Sequence, residues 1–171
     1  MVDQKTFREA MARLGAAVNV VTTDGTAGRH GLTVSAVCSV TDEPPSLMVC
    51  VNRRSRSHAM ICENAVLCVN VLAGRHEALA ARFAGRDDPT RDRFADARWE
   101  VLATGAPLLA DASVAFDCRV TLARPIGTHT AFLCEVEALR VHDAAEGLIY
   151  FNRGFHHLAE AAGLTGGPPS G

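Results

Sequence analysis

The chain is poor in aromatic residues, 5% in all with one tryptophan and one tyrosine, and its charge is unbiased: 17 basic and 19 acidic residues leave a formal net charge of −2. Without a basic stripe or a row of aromatics it has neither an electrostatic footprint for nucleic acid nor a platform on which bases could stack. Long apolar runs are missing too. Nothing approaches the roughly 20 residues that span a bilayer, and the opening MVDQKTFREAM lacks the apolar core of a secretory signal. A cytoplasmic protein, without membrane or nucleic-acid partners, is the expectation. The six cysteines, Cys38, Cys50, Cys62, Cys68, Cys118 and Cys134, show no C-x-x-C spacing and mostly fall in apolar, strand-like runs. That favours buried, reduced thiols over disulfides or a metal site. A G-x-G-x-x-G after a strand and a G-x-x-x-x-G-K-[ST] are absent, and His76-Glu77 is not followed by the second histidine of H-E-x-x-H. A Rossmann dinucleotide site, a P-loop and a zinc hydrolase are thereby excluded, and no metal is expected.

What is present is an ordinary globular composition, 48% hydrophobic and 21% charged over 171 residues, enough for one domain with its own core. That domain is expected over residues 1–164, with a disordered tail, TGGPPSG, over 165–171. Asp3 can cap a first helix whose Phe7, Ala10, Met11 and Leu14 recur at helical spacing and should pack on the core. Residues 17–23 are β-branched and lead through Asp24-Gly25 into an antiparallel hairpin. Residues 66–72 read as an apolar strand, 75–84 as a helix closed by Gly85, and 86–98 as a charged, irregular excursion with one helical turn. From 113 to 122 apolar and polar residues alternate cleanly; Arg124-Pro125-Ile126-Gly127 should turn the chain back into a strand over 130–141, and 148–151 should add a last short strand. A meander of six or more strands with covering helices argues for a mainly β protein, a small barrel, instead of a parallel sheet.

The chemistry concentrates in residues 31–58, GLTVSAVCSVTDEPPSLMVCVNRRSRSH. Leu32, Val34, Ala36, Cys38 and Val40 alternate with Thr33, Ser35, Val37 and Ser39, so one strand face packs and the other gathers hydroxyls. Pro44 and Pro45 interrupt, an apolar run follows over 47–51, and Asn52 then leads into Arg53, Arg54 and Arg56 with Ser55 and Ser57 between them. Ser57 is a candidate N-cap and Asn64 a candidate stop for the short helix that follows. Three arginines at a helix start oppose the helix dipole, a conflict that a phosphate would relieve. From these residues alone, a phosphate-binding turn and a solvated Arg/Ser loop stand about even.

The order T-V-S-A-V-C-S-V, D-E-P-P-S-L-M-V-C-V-N-R and S-x-S-H resembles the short-chain flavin reductases, the reductase components of two-component flavin monooxygenases. The likeness continues through Asn70-Val71-Leu72, Ala81-Arg82-Phe83-Ala84, Gly105-Ala106-Pro107, Gly127-Thr128-His129 and Tyr150-Phe151 to His156, about nine-tenths of the chain. Within the family, FREAMARLGAAVNVVTTDG, SAVCSVTD and FDCR are most similar to reductases serving pyrimidine degradation, whereas SRSHAMI is more similar to those serving aromatic hydroxylation. The resemblance implies an FMN-binding split β-barrel, a homodimer with its flavin near the interface, and an NAD(P)H:flavin oxidoreductase. Such an enzyme reduces FMN or FAD with NADH or NADPH, NADH preferred, and supplies diffusible reduced flavin to a partner monooxygenase. It implies that Thr33, Val34, Ser35, Ala36, Val37, Cys38 and Ser39 line the flavin, that Asn52 contacts it, that Ser55, Ser57 and His58 hold its phosphate, and that Arg82 and Phe83 reach it. His129, with Phe155 and His156, would border the nicotinamide, His129 as the catalytic or positioning group. The plainer readings are a solvated strand face for Thr33 and Ser35, a packed Phe83 beside a surface Arg82, and a surface histidine at 129. The competing functions are a flavin-binding barrel without turnover and, weakened by composition, a nucleic-acid-binding barrel.

Overall fold

A computed structural model describes residues 1–85, 92–143 and 146–159. The tail expected over 165–171 and the first part of the 86–98 excursion lie outside the described residues. Helix α1, Gln4–Met11, begins at Asp3, whose carboxylate accepts the Thr6 N–H at 2.9 Å. Strands β1 (Ala16–Ala17), β2 (Asn19–Thr23), β3 (His30–Val34), β4 (Val37–Asp42) and β5 (Pro45–Asn52) lead to helix α2, Arg56–Asn64. Then come β6 (Val66–Val71), a 3₁₀ turn at Gly74–His76, α3 (Glu77–Phe83), and the short pair β7 (Trp99–Glu100) and β8 (Leu108–Leu109). The long hairpin β9 (Val114–Ile126) and β10 (His129–Val141) follows, and β11 (Gly147–Phe151) and β12 (Gly154–Leu158) close the order.

Seven strands form one antiparallel sheet in the order β3-β2-β6-β9-β10-β5-β4. Its two edge strands, β3 and β4, are consecutive in the chain and separated only by Ser35 and Ala36. Three residue steps from Val34 to Val37 reach at most roughly 11 Å, so the sheet must curl until its edges nearly meet. This is a barrel with a seam, and it confirms the mainly β architecture while dividing the single strand expected over 32–40 into two.

β2 shows how one strand feeds two cores. Val21 points into the barrel with Val49, Val51, Leu67, Val69, Phe132 and Ile61 of α2. Its neighbour Val20 points the other way, to Leu72, Ala80, Phe83, Leu108, Leu109 and Leu148. Every residue of β2 is buried, as a continuous β-branched run buried on both faces requires. A second sheet, β1-β11-β12, flanks the barrel.

Four local expectations change. The α1 stripe does not pack on the core: Phe7, Met11 and Leu14 are 58%, 45% and 62% exposed, because among the described residues no other element lies over them. The cap of α2 is Ser55, whose hydroxyl accepts the Ser57 N–H at 3.2 Å, so the helix starts two residues earlier than a Ser57 cap would place it. The β9–β10 turn narrows to Gly127 and Thr128, since β9 continues through Pro125 to Ile126. β6 stops pairing at Arg119, so beyond it β9 is an edge, where proline is tolerated. β12 was not anticipated as a strand.

Gly31 on β3 marks a close approach: a Cβ there would lie 2.6 Å from Phe83 Cε1 and 3.1 Å from the Val21 carbonyl oxygen. Phe83 is locked in the core, so Gly31→Ala should cost about 1–3 kcal/mol and lower Tm by several degrees in thermal unfolding. An unshifted Tm would mean that the β3–α3 contact is loose.

Candidate functional site

The seam creates the site. At Ser35 and Ala36 the ladder is interrupted: their carbonyls accept from Val37 N–H and Cys50 N–H, both at 3.0 Å, but among the described residues nothing accepts from their own N–H groups. They open on a cleft of about 860 Å³ whose lining includes Val37, Cys38, Met48, Cys50, residues 15–17 and Tyr150. On β5 Met48 and Cys50 alternate with the buried Leu47, Val49 and Val51, so the cleft lies on the outer face of the barrel wall. Asn52 shares the period and the face of Cys50.

A smaller slot of about 220 Å³ adjoins the cleft through Ser35 and Tyr150, and is completed by Val18, Thr33, Val34, Ala84 and Phe155. Tyr150 and Phe155 meet edge to face at 5.6 Å. A third depression, about 380 Å³, lies past the end of β5 and is lined by Arg53, Arg54, His58, Gly127 and Thr128, without a carboxylate. Arg53 N–H donates to the Thr128 carbonyl at 3.0 Å, tying the β5–α2 turn to the β9–β10 turn. Asn52 Oδ1 accepts the Arg54 N–H at 2.9 Å. His58 Nε2 lies 2.8 Å from Thr130 Oγ1, and burial, then Arg53, holds its pKa below the ordinary histidine value. Only the Arg53 part of that shift, a neighbouring positive charge, would favour an anion; burial disfavours a charge of either sign.

The sequence-derived candidates separate accordingly. Ser35, Ala36, Val37 and Cys38 line the cleft, and Thr33 and Val34 border the slot; Ser39 is exposed and lines neither. Thr33 does not offer its hydroxyl, which donates to the Ala80 carbonyl at 2.6 Å. Ser55 caps α2 beside Arg53 and Arg54. Ser57 is a correction: its side chain is fully buried, with Oγ 2.7 Å from His30 Nδ1 and donating to the Gly31 carbonyl at 3.2 Å, because the helix turns this position inward. Arg82 and Phe83 are corrections as well. Arg82 holds the 92–98 segment, donating to the Ala95 carbonyl at 2.8 Å and pairing with Asp96, and lines a different depression with Arg75 and Asp111. Phe83 is a core ring packed edge-on against Phe94 and tilted against Trp99. His129, opposite Asn52 in register, is exposed, with Nδ1 2.9 Å from Thr128 Oγ1 at the rim of the basic depression. Phe155 lies in the slot instead, and His156 turns to the Phe151 carbonyl at 3.2 Å, so these three do not share one cavity. All six cysteines are free; Cys68, Cys118 and Cys134 are buried, whereas Cys38 and Cys62 are exposed. Tyr150, Arg8 and Arg153 were missed as site residues. Tyr150 alone had a signal, the quoted Tyr150-Phe151 pair.

A barrel split at a donor-bearing seam, with an apolar cleft and a basic depression along one strand, defines a protein built to hold a flat heterocycle with a phosphate. Residues 11–159 match the family described as flavin reductase like domain, and the chain belongs to it. It is 52% identical over 164 residues to "FMN reductase (NADH) RutF" of Bradyrhizobium diazoefficiens, covering 96% of this chain and 91% of that protein. The crystal structure of a flavin reductase from Haemophilus somnus superposes with a TM-score of 0.87 at 42% identity, covering 92% of this chain and all of that one. The NADH:FAD oxidoreductase SgcE6 of Streptomyces globisporus, in complex with NAD and FAD fragments, superposes at 0.84 with 30% identity, over 95% of this chain and 98% of that one.

The Ser57 geometry carries its own test. Ser57→Ala removes the buried hydroxyl between His30 and Gly31 and should cost about 1–3 kcal/mol, read as a fall in Tm. An unchanged Tm would return that hydroxyl to the pool available for a ligand.

Proposed function

We propose that this chain is an NADH-dependent FMN reductase, the reductase component that supplies reduced flavin to a separate monooxygenase. The observation that carries it is the seam. Ser35 and Ala36, whose N–H groups have no acceptor among the described residues, line an apolar cleft; directed into it, those N–H groups would match the acceptor edge of a flavin ring, between the soft walls of Cys38 and Cys50. Arg53 follows Cys50 by three residues, roughly 10 Å along an extended strand, a span suited to a ribityl chain with its phosphate on Arg53, Arg54 and the α2 start. The similarity to an FMN reductase (NADH) favours FMN over FAD and NADH over NADPH.

Bound flavin supplies the hydride acceptor, which no side chain of this protein can replace. The residues bind and align. The seam amides orient the ring, the basic depression holds the phosphate, and the Tyr150–Phe155 slot beside the cleft receives the hydride donor and excludes water from it. His129 is a positioning residue on the rim, next to Thr128.

The cleft lies on the outer wall of the barrel, and Met11 and Leu14 of the uncovered α1 stripe line it; Phe7 on the same helix and Val40 on β4 are exposed as well. A second copy of the chain would bury these groups and enclose the flavin, giving a homodimer. The reading places the enzyme in the cytoplasm with its NADH; among the described residues no helix is long and apolar enough to cross a membrane.

The purified protein should oxidise NADH only when FMN is present. Arg53→Gln with Arg54→Gln should raise KM for FMN roughly tenfold while riboflavin, which lacks the phosphate, is nearly indifferent. His129→Ala should raise KM for FMN, since His129 sits at the rim of the basic depression; a rise confined to NADH would assign it to the nicotinamide side instead. FMN binding without NADH oxidation would leave a binding protein and sink the reductase reading.

Light scattering should give a mass near twice that of the chain, and Phe7→Ser with Leu14→Ser should shift it toward the monomer. A monomer with full turnover would remove the dimer from the account.

A further inference from the structure

We propose that Arg8 and Arg153 form a diphosphate subsite at the mouth of the seam cleft, holding the pyrophosphate of the nicotinamide dinucleotide. The proposal rests on the reading of that cleft as the flavin site. Among the described residues lining the cleft these two alone are charged, and none is a carboxylate. Several other surface arginines are paired with carboxylates, Arg29 with Asp24, Arg75 with Asp111 and Glu146, Arg119 with Glu137, Arg140 with Glu100; among the described residues Arg13, Arg56 and Arg124 are not, but they line neither this cleft nor the basic depression. Arg8 and Arg153 have no ion pair or hydrogen bond from their guanidinium groups among the described residues. A chain with net charge −2 thus leaves two unopposed positive charges beside its most apolar opening.

Backbone geometry points the same way. The β11–β12 turn has Asn152 at φ +47° and Arg153 at φ +66°, two consecutive left-handed residues. The second position of such a turn favours glycine, yet here it is arginine, with the glycine one residue later at 154. An arginine in this conformation, where glycine would be unstrained, points to a role for its side chain. The turn is docked on the end of α1, where Asn152 N–H donates to the Ala12 carbonyl at 2.6 Å. Arg8 lies one helical turn before Ala12, so that bond brings the two guanidinium groups, from opposite ends of the chain, to one rim.

The ligand follows from charge and place. FMN carries one phosphate, and the basic depression at Arg53 and Arg54 answers it. The pyrophosphate of a dinucleotide carries two negative charges, which two planar guanidinium groups can each bind by paired hydrogen bonds. Tyr150 lines both the cleft that Arg153 borders and the slot that holds Phe155, so a nicotinamide in the slot would leave its diphosphate on the arginines.

The test compares three hydride donors at saturating FMN: NADH, reduced nicotinamide mononucleotide, and 1-benzyl-1,4-dihydronicotinamide, which has no phosphate. Arg8→Gln and Arg153→Gln should each raise KM for NADH roughly tenfold with kcat nearly kept, the mononucleotide should lose less, and the benzyl donor should be used as well by the variants as by the parent enzyme. Arg153→Lys should recover part of the loss. Arg153→Gly should raise Tm by relieving the turn while still raising KM for NADH, a combination that a merely structural arginine would not produce. Equal losses with the benzyl donor, a rise in KM for FMN instead of NADH, or no change in any variant would each overturn the subsite. Ala36→Trp, which fills the cleft, should abolish FMN binding in a titration; intact FMN affinity there would overturn the cleft reading and the subsite with it, whereas lost affinity leaves the arginine outcomes to decide the subsite alone.

Discussion

The structure depends on a seam. Two strands that are neighbours in the chain end up at opposite edges of a seven-stranded sheet, and a link of two residues cannot bridge those edges unless the sheet curls. β3 and β4 approach without hydrogen-bonding to each other, and the interruption leaves the Ser35 and Ala36 amides unsatisfied by protein. In a buried setting such donors would be costly. Here the two residues line an open cleft, and that cost becomes the means of holding a ligand.

The contrast with the rest of the molecule gives the seam its meaning. Every buried side-chain nitrogen and oxygen among the described residues has a hydrogen-bond partner. Asn70, at the junction of the two cores, donates to the Val20 carbonyl and accepts the Leu109 N–H. Asp117 accepts both the N–H and the hydroxyl of Thr104. Ser57 belongs to this satisfied interior, and so does Thr33. The site is made of what the interior leaves over: two seam amides, the arginines at 53 and 54, and those at 8 and 153. Arg82, which meets a carboxylate, holds a loop together; the four arginines at the cleft and the basic depression meet none among the described residues.

Ordinary rules of strand and helix chemistry made much of this legible. The β-branched runs announced β2 and β6, the alternation over 113–122 announced β9, Asp3 and Asn64 marked helix ends, and the motif residues 35–38 fell on the cleft. Three kinds of error share a cause. Ser57 was placed at the phosphate by the resemblance of S-x-S-H, but the helix is capped two residues earlier, at Ser55, and Ser57 turns inward. Phe83 and Arg82 were carried by a motif, which records which residues recur and not which way each side chain faces. The α1 stripe looked like core because periodicity shows that a helix has an apolar side without naming what covers it.

The sequence by itself determined the class of fold, the family and the stretch that carries the chemistry, since these follow from local periodicity and from residue order along the chain. Only the tertiary structure decided that β3 and β4 are the two edges of one curled sheet, that His129 does not share the slot of Phe155, and that Arg8 and Arg153, almost the whole length of the chain apart, line one cleft. The physical reason is that hydrogen-bond register and sheet curvature are set by pairing between distant segments. No local pattern encodes which donors that pairing will leave unused.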